Sequence, residues 1–578
     1  MKYFKNIYRL VLLLAAITLG SVASLSGQGS SAGQNDILFK AMQDEMNRSK
    51  NELILPNSPA PWFVAYTVSD LSYTSVISSK GTIIYTKVNP QERLHSVNLY
   101  VGDSKFSSDY SYSGNGILPT AFTVTENNYD QLRRSFWQTS DLAYKMAVEV
   151  FNSKQNAVKS ANLTEQEKSL HDMLPVANPV VQNYNDLPGG RLMNVNLDAE
   201  RYRTLANKLS AELAKATQLF DTRVEIDGIQ TIYNYLSTEG TKVTEPAGYV
   251  SITLKGKVRN SKGQVFSDQQ QILARTFETL PSEQELTAEV TKFAGNLASL
   301  LNSIEMEEYY LGPVLFMEDA AAQIFAENLI SPAGVFAYRK PIQVMATVGR
   351  PENVSGRRDV KPLEERINKK VIDSRISVKN STDTKTFGNT PLVGYYNVDA
   401  QGVIPVKESN LIENGILRSL LSTRVPTKTS SASTGSLRYG VRPRAIPLEL
   451  APGNLIISAK EGSTAEQLKS ELIKAAVEEG LDYAYIVKKI ANETNQYIYR
   501  VNVKDGSESL VTGAEVTPVP LTKLKRVLGL NSNQKIYNYL YQGTVPVSVV
   551  YPDGILIEDI EINRKPVNVQ KESPLIVK

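Results

Sequence analysis

Two histidines, no cysteine and one carboxylate on a short apolar helix are what this chain offers for metal or nucleophilic chemistry. His95 lies in "RLHSVNLYV", where Val97 and Leu99 fall on its own side of an alternating strand, so its expected place is in or beside a core. His171 lies in the polar stretch "TEQEKSLHDMLP", expected to end a surface helix. A catalytic zinc needs three protein ligands from His, Cys or carboxylate and leaves a fourth position to water. Two histidines far apart in sequence, neither at a ligand spacing, argue against such a site, and no spaced acidic motif for Ca²⁺ or Mg²⁺ occurs. The carboxylate is Glu327, the one catalytic candidate, in "MEDAAAQIFAENLISPAG". Ala322, Phe325, Ala326 and Leu329 recur at i, i+3, i+4, i+7, and Glu327 projects away from that stripe. Its plain reading is a charge outside the core.

Other catalytic routes are thin. The chain has no Cys nucleophile and no G-x-S-x-G elbow. A Ser-Lys dyad in "TKTSSASTGS" requires a desolvated lysine, whereas Ser/Thr-rich stretches read first as loops. Gly189-Gly190 and the "GNG" at 114–116 read as turns, and no loop is built to cradle phosphates. Lys428, Arg438, Arg442 and Arg444 cluster around Tyr439. Either they belong to a solvated loop, or they form a rim contacting the backbone or carboxylate end of a bound polypeptide, where arginine offers fixed, bidentate donors.

These residues need elements to position them. Helical spacing places a helix from an Asp36 cap through Met46, a long one around 128–152, one near 197–218, and one from a Ser282–Glu285 capping box to about 304. Strand-like runs include "WFVAYTVSD", "GTIIYTKV" and "GYVSITLKGKVRNSKGQVFSDQQQILART", with Ser261-Lys262-Gly263 as a hairpin corner. Beyond "MEEYYLG" strands dominate, with turns at Ala400-Gln401-Gly402 and Asn414-Gly415. A second capping box, Ser463 with Glu466, starts a helix that stops at Gly480.

The 578 residues, 42% hydrophobic and 21% charged, describe an ordinary globular protein of two or more domains. "MKYFKNIYR", the apolar "LVLLLAAITL" and a small-residue stretch have the order of a secretory signal peptide, and no later run is long enough to span a bilayer. With no cysteine there is no lipobox. Loss of Lys2, Lys5 and Arg9 would take the net charge from +3 to about 0, which does not suit nucleic acid.

In order, "GPVLFMEDAAAQIFAENL", "YYNVDAQGVIPVKESNLIENGIL", "STGSLRYGVRPR" and "LAPGN" resemble the C-terminal half of the TldD/PmbA family. Its members are also called modulators of DNA gyrase and are classed with metallopeptidases. "LFKAMQDEMNRS", "LRRSFWQTSDLAYKMAVE" and "VVYPDGILIEDIEINRK" resemble an exported branch. The resemblance implies a peptidase acting on unfolded or extended polypeptide in a cleft between subunits. In the TldD subunit an HExxxH helix and a later cysteine hold zinc, while the PmbA subunit lacks those ligands. By that resemblance HExxxH falls on Ala326 to Ser331, where only Glu327 matches. Pro447 stands where the family often has asparagine, removing a side-chain amide and a backbone donor.

The expectation is therefore an α+β protein. It comprises a signal peptide (1–26), a linker (27–35), an N-terminal α/β-mixed domain with an antiparallel sheet and packed helices (36–305), and a β-rich TldD/PmbA-type domain (306–578). The expected function is that of a zinc-less, PmbA-like pseudoenzyme without a cofactor, periplasmic or extracellular. It would bind extended polypeptide and act in proteolysis as a homodimer or with a zinc-bearing TldD-like subunit. The alternatives are a working metallopeptidase with non-standard or interface-shared ligands, and a structural envelope module.

Overall fold

The computed structural model describes residues 31–109, 118–160, 164–182, 195–331, 333–337, 339, 363–490 and 495–567. The signal-peptide reading and the turns at 114–116 and 189–190 lie outside the described residues. The described residues open with α1 (Ser31–Glu52), which begins inside the stretch read as linker (27–35) and places Asp36 within the helix instead of at its cap, then β1 (Pro61–Ser79), β2 (Thr82–Val101) and β3 (Thr120–Phe122). Helices α2 (Tyr129–Ser160), α3 (Glu165–Ser169) and α4 (Ala199–Leu213) follow. Strands β4 (Leu219–Ser237), β5 (Lys242–Arg259) and β6 (Val265–Ala274) and helix α5 (Glu283–Ser299) complete this half.

The strands form one antiparallel sheet in the order β3-β2-β1-β4-β5-β6. Alternation decides what covers each face. Val64, Tyr66 and Val68 of β1 pack with α1 and α2, and Val76, twelve residues from Val64 and so on the same face, packs with α4 and α5. Leu71 and Tyr73 face the other way, where Tyr233, Ala247 and Tyr249 join Val393, Ala400, Leu437, Tyr439 and Val441 from the second half. The rings of Tyr233 and Tyr439 stack 4.0 Å apart across this boundary. At Gly228 a side chain would collide with the Tyr202 hydroxyl, so the missing Cβ is what lets α4 lie against β4.

The second half begins with β7 (Ile304–Glu305), β8 (Tyr310–Met317) and α6 (Glu318–Leu329). After residue 363 come β9 (Ile376–Ser381), β10 (Thr386–Phe387), β11 (Thr390–Pro391), β12 (Glu408–Glu413) and β13 (Ile416–Leu417). Next are β14 (Leu437–Tyr439), β15 (Leu448–Leu450), β16 (Asn454–Ala459) and α7 (Ala465–Glu478). The chain continues through β17 (Tyr483–Lys489), β18 (Tyr497–Asn502), β19 (Glu508–Thr512), β20 (Ala514–Val516) and β21 (Gly529–Leu530). It closes with β22 (Gln534–Tyr541), β23 (Val545–Pro552) and β24 (Gly554–Arg564).

Two mixed sheets result: β13-β12-β9-β16-β23-β22, and β20-β24-β8-β17-β18-β19-β7 with β21 beside β24. Val314 and Phe316 of β8 point into a core shared with α6 and the six-stranded sheet, while Leu315 points outward beneath Leu468, Leu472 and Ala476 of α7. Helix α6 is thus enclosed between sheets, and the small Ala320, Ala321 and Ala322 let it fit there. The α+β class, with its β-rich second half, is as expected.

Local signals located most boundaries. Ser282 and Glu285 form the expected capping box, and Asn414-Gly415 turns with φ of 46° and 78° at the two residues. Helix α5 ends at Ser299, short of 304, and α2 runs on to Ser160. The second capping box is displaced by one residue: Thr464 and Gln467 form it, not Ser463 and Glu466. The backbone of Ser463 is already engaged, its N–H donating to the Leu530 carbonyl at 2.8 Å and its carbonyl accepting from Ser532 at 3.1 Å.

Candidate functional site

Strand β8 delivers the chain into α6, where Met317 is extended and Glu318 turns with φ of 51°. Three apolar turns bury Ala320, Ala321, Ala322, Ile324, Phe325, Ala326 and Leu329, wider than the stripe read from sequence. What escapes is a polar row at i, i+4, i+8: Asp319, Gln323 and Glu327. This row looks into the seam between the halves, where the edge strands β6 and β22 approach one another.

At the N-terminal end of α6 charges are balanced. Lys292 and Lys488 each stand 3.7 Å from Glu318. Burial pushes the Asp319 carboxyl up, opposed chiefly by Lys489. Lys489 Nζ in turn donates to Asp268 of β6 at 2.5 Å and to the Gln269 carbonyl at 2.6 Å, and the Tyr497 hydroxyl donates to Asp268 at 2.9 Å. At mid-row, Gln323 Oε1 accepts from the Ile490 N–H at 2.9 Å. Tyr537 stacks on Tyr539 at 5.2 Å, and burial, with the Asp319 charge second, pushes its hydroxyl up to about 12.

Glu327 differs. It is exposed and makes no hydrogen bond or ion pair among the described residues, and the surrounding protein pushes its carboxyl up by desolvation. The neighbouring Ala326 methyl is buried in the apolar core, and Ser331 follows beyond the end of the helix. Zinc does not fit this donor set, because a methyl donates nothing and a neutral hydroxyl is a poor ligand. His95 is wholly buried in the first half, its Nε2 2.8 Å from Thr139 Oγ1 and its ring edge-on to Phe136. Burial holds it down to about 4. His171 is half-buried, with Nδ1 3.5 Å from Ser104 Oγ. No group of three His, Asp or Glu suited to a metal occurs among the described residues.

The four basic residues do not converge. Lys428 pairs with Glu167 at 3.2 Å, Arg442 is exposed, and the Arg444 N–H donates to Glu92 at 2.6 Å. Arg438 is buried beneath Tyr396 and donates to the carbonyls of Pro452 at 2.6 Å and Pro546 at 2.9 Å. Burial lowers its guanidinium to about 10.

Sequence reading passed over two buried carboxylates beside it. Glu245 accepts from the Asn397 N–H at 3.0 Å, and Asp399 Oδ1 accepts from the N–H groups of Gln401 and Val403, both at 2.8 Å. Burial pushes each up to about 7. Nearby Arg424 donates to Glu239 and to the Leu174 carbonyl, both at 2.7 Å. The Asp399-x-Gln401-Gly402-Val403 turn is a local signal that could have flagged Asp399; nothing local marks Glu245.

Residues 307–564 match the PmbA/TldA metallopeptidase C-terminal domain. No curated protein matches the chain. Three similar solved structures each have a TM-score of 0.56. One is a candidate modulator of a DNA gyrase from Thermotoga maritima, 15% identical, covering 91% of this chain and 100% of its own. Another is TldE from Thermococcus kodakarensis, 12% identical, covering 90% and 99%. A third, from Bacteroides thetaiotaomicron, is again a candidate modulator of DNA gyrase, 10% identical, covering 91% and 98%. Likeness at that identity carries the fold, and it extends over both halves.

Proposed function

The chain belongs to the TldD/PmbA family through its C-terminal domain, and from that premise we propose that it is an exported, zinc-less, PmbA-like member that binds extended polypeptide and acts in proteolysis with a partner subunit. The observation that carries this reading is the turn at the end of α6. Glu327 is flanked by a core methyl at Ala326 and by Ser331, with one histidine sealed in the other half and the other turned to Ser104. A partner supplying zinc would complement such a chain, as would a second copy if binding alone is its role.

Polypeptide binding draws support from the strand edge beside the polar row. On β6 the outward backbone groups of Ser267 are taken by Asn495, its carbonyl accepting at 3.0 Å. The same alternation turns the backbone N–H and C=O of Gln271 outward, with no partner among the described residues. With Ser267 and Gln269 already engaged, the outward pair at Gln271 is what an extended chain could meet through backbone bonds, which are made largely without regard to sequence. No described helix is long and apolar enough to cross a membrane. Export rests on the N-terminal charge and apolar pattern alone.

Metal analysis of the purified protein, with peptide cleavage measured with and without chelator, tests the reading. It expects no stoichiometric zinc, no chelator-sensitive turnover, and binding of an unfolded peptide. Stoichiometric zinc with chelator-sensitive cleavage would reject it. Monomeric protein that binds no peptide would favour the structural envelope module.

A further inference from the structure

Where the β5–β6 corner meets β7, the seam opens into a cavity of about 610 Å³. Three cations line it from three separate elements: Lys262 from the β5–β6 corner, Arg500 from β18 and Arg564 from the end of β24. Two carboxylates, Glu305 and Glu307, share the lining. Glu305 is occupied: Gln264 Nε2 donates to it at 2.6 Å and Lys262 Nζ lies 3.6 Å away. Those two partners, the Gln264 hydrogen bond first and with the more distant Arg564 charge behind them, hold its carboxyl below the usual range. Neither arginine makes an ion pair within 4 Å among the described residues; the Arg564 charge acts on Glu305 at longer range, and the Arg500 guanidinium stands 5.5 Å over the Tyr483 ring.

The cavity also borders an open sheet edge. β7 pairs with β19 on one side and ends its sheet. The Met306 N–H donates to Thr512 at 2.9 Å, and that parallel register turns the N–H and C=O of Glu305 itself away from β19. Unpaired arginines from two strands, a lysine behind them and a free backbone edge form an arrangement that binds planar oxyanions through paired N–H donors.

We propose that this cavity is an oxyanion site, in which Arg500 and Arg564, backed by Lys262, take a carboxylate or phosphate group. The carboxylate form suited to the edge of β7 is the free C-terminus of an extended chain. The site shares no residue with the polar row of α6, and its failure would leave that reading untouched.

Fluorescence anisotropy of a labelled hexapeptide tests it, comparing the free C-terminal acid with the C-terminal amide and using inorganic phosphate as competitor. The acid is expected to bind at least about tenfold more tightly than the amide, and phosphate to displace it. Arg500→Gln and Arg564→Gln should each weaken binding about tenfold. Arg366→Gln, at an exposed arginine elsewhere, should leave it unchanged. Arg500→Lys keeps the charge without the fork and should fall between, which separates recognition from any folding defect, and thermal melts of each variant accompany the titrations. Phosphate binding that both glutamine variants abolish, without discrimination between acid and amide, would support the site with phosphate as its source. Equal binding of acid and amide without phosphate binding, or full binding by a variant carrying both Arg500→Gln and Arg564→Gln, would overturn it.

Discussion

Glu245 and Asp399, 4% and 1% exposed at the boundary of the two halves, are each met by backbone N–H donors and lie near arginines that are themselves hydrogen-bonded. Glu327, at the end of α6, stands exposed with no partner among the described residues. Desolvation raises all three carboxyls, by full enclosure at Glu245 and Asp399 and by the neighbouring protein at Glu327, yet the surroundings assign them different work. A carboxyl enclosed with fixed donors holds structure, because leaving it unmatched would cost the fold. A carboxyl that nothing in its own chain satisfies is free to meet a ligand. The two regions also differ in reach, since Glu245 of the first half takes hydrogen bonds from Asn397 of the second and Glu327 takes none among the described residues.

The contrast can be broken first at Arg424. Arg424→Ala would leave Glu239 without its ion pair, with only the Val176 N–H still donating to it, and would free the Leu174 carbonyl inside the boundary, and a loss of about 3 kcal/mol is expected in denaturant unfolding. A smaller and opposite effect is expected at Glu245. The folded state holds its proton up to about 7 against 4.5 ordinarily, so its contribution is fully present at acid pH and is lost as pH rises through that window. Glu245→Gln should therefore flatten that limb and leave the protein more stable than its parent at pH 8, by more than about 1 kcal/mol. A variant less stable than its parent at pH 8 would show that the Asn397 donors outweigh burial at Glu245.

His95 titrates with the other sign. Held down to about 4 against 6.5 ordinarily, it removes stability as pH falls between those values. His95→Gln should abolish that acid limb at a cost of about 1 kcal/mol near neutrality, read from melts between pH 4 and 8. The smallest effect belongs to Glu327→Gln, within about 0.5 kcal/mol at pH 7. A larger loss would place a hidden partner at α6 and dissolve the comparison.

Sequence reading served best where the deciding interactions are local. The Ser282–Glu285 box, the Asn414-Gly415 turn and the core position of His95 each follow from residues a few positions apart. The box at α7 slipped by one because Ser463 and Thr464 satisfy the same local pattern, and the choice falls to backbone pairing with Leu530 and Ser532. Arg438 read as part of a basic loop because nothing nearby announces the carbonyls of Pro452 and Pro546 that surround it. Glu327 was legible as a charge off the apolar stripe. The polar row it completes, and the strand edges facing that row, depend on a seam between halves that are distant in sequence.

The first sheet carries a further consequence. Its four interior strands run eighteen to twenty residues, where five or six are usual, and a single face supports one helix pair near Tyr66 and another near Val76. It behaves as a beam bearing two loads. Amide exchange along β1 and β4 should resolve into two blocks with separate protection, since either helix pair can lift away while the far end of the beam stays clamped.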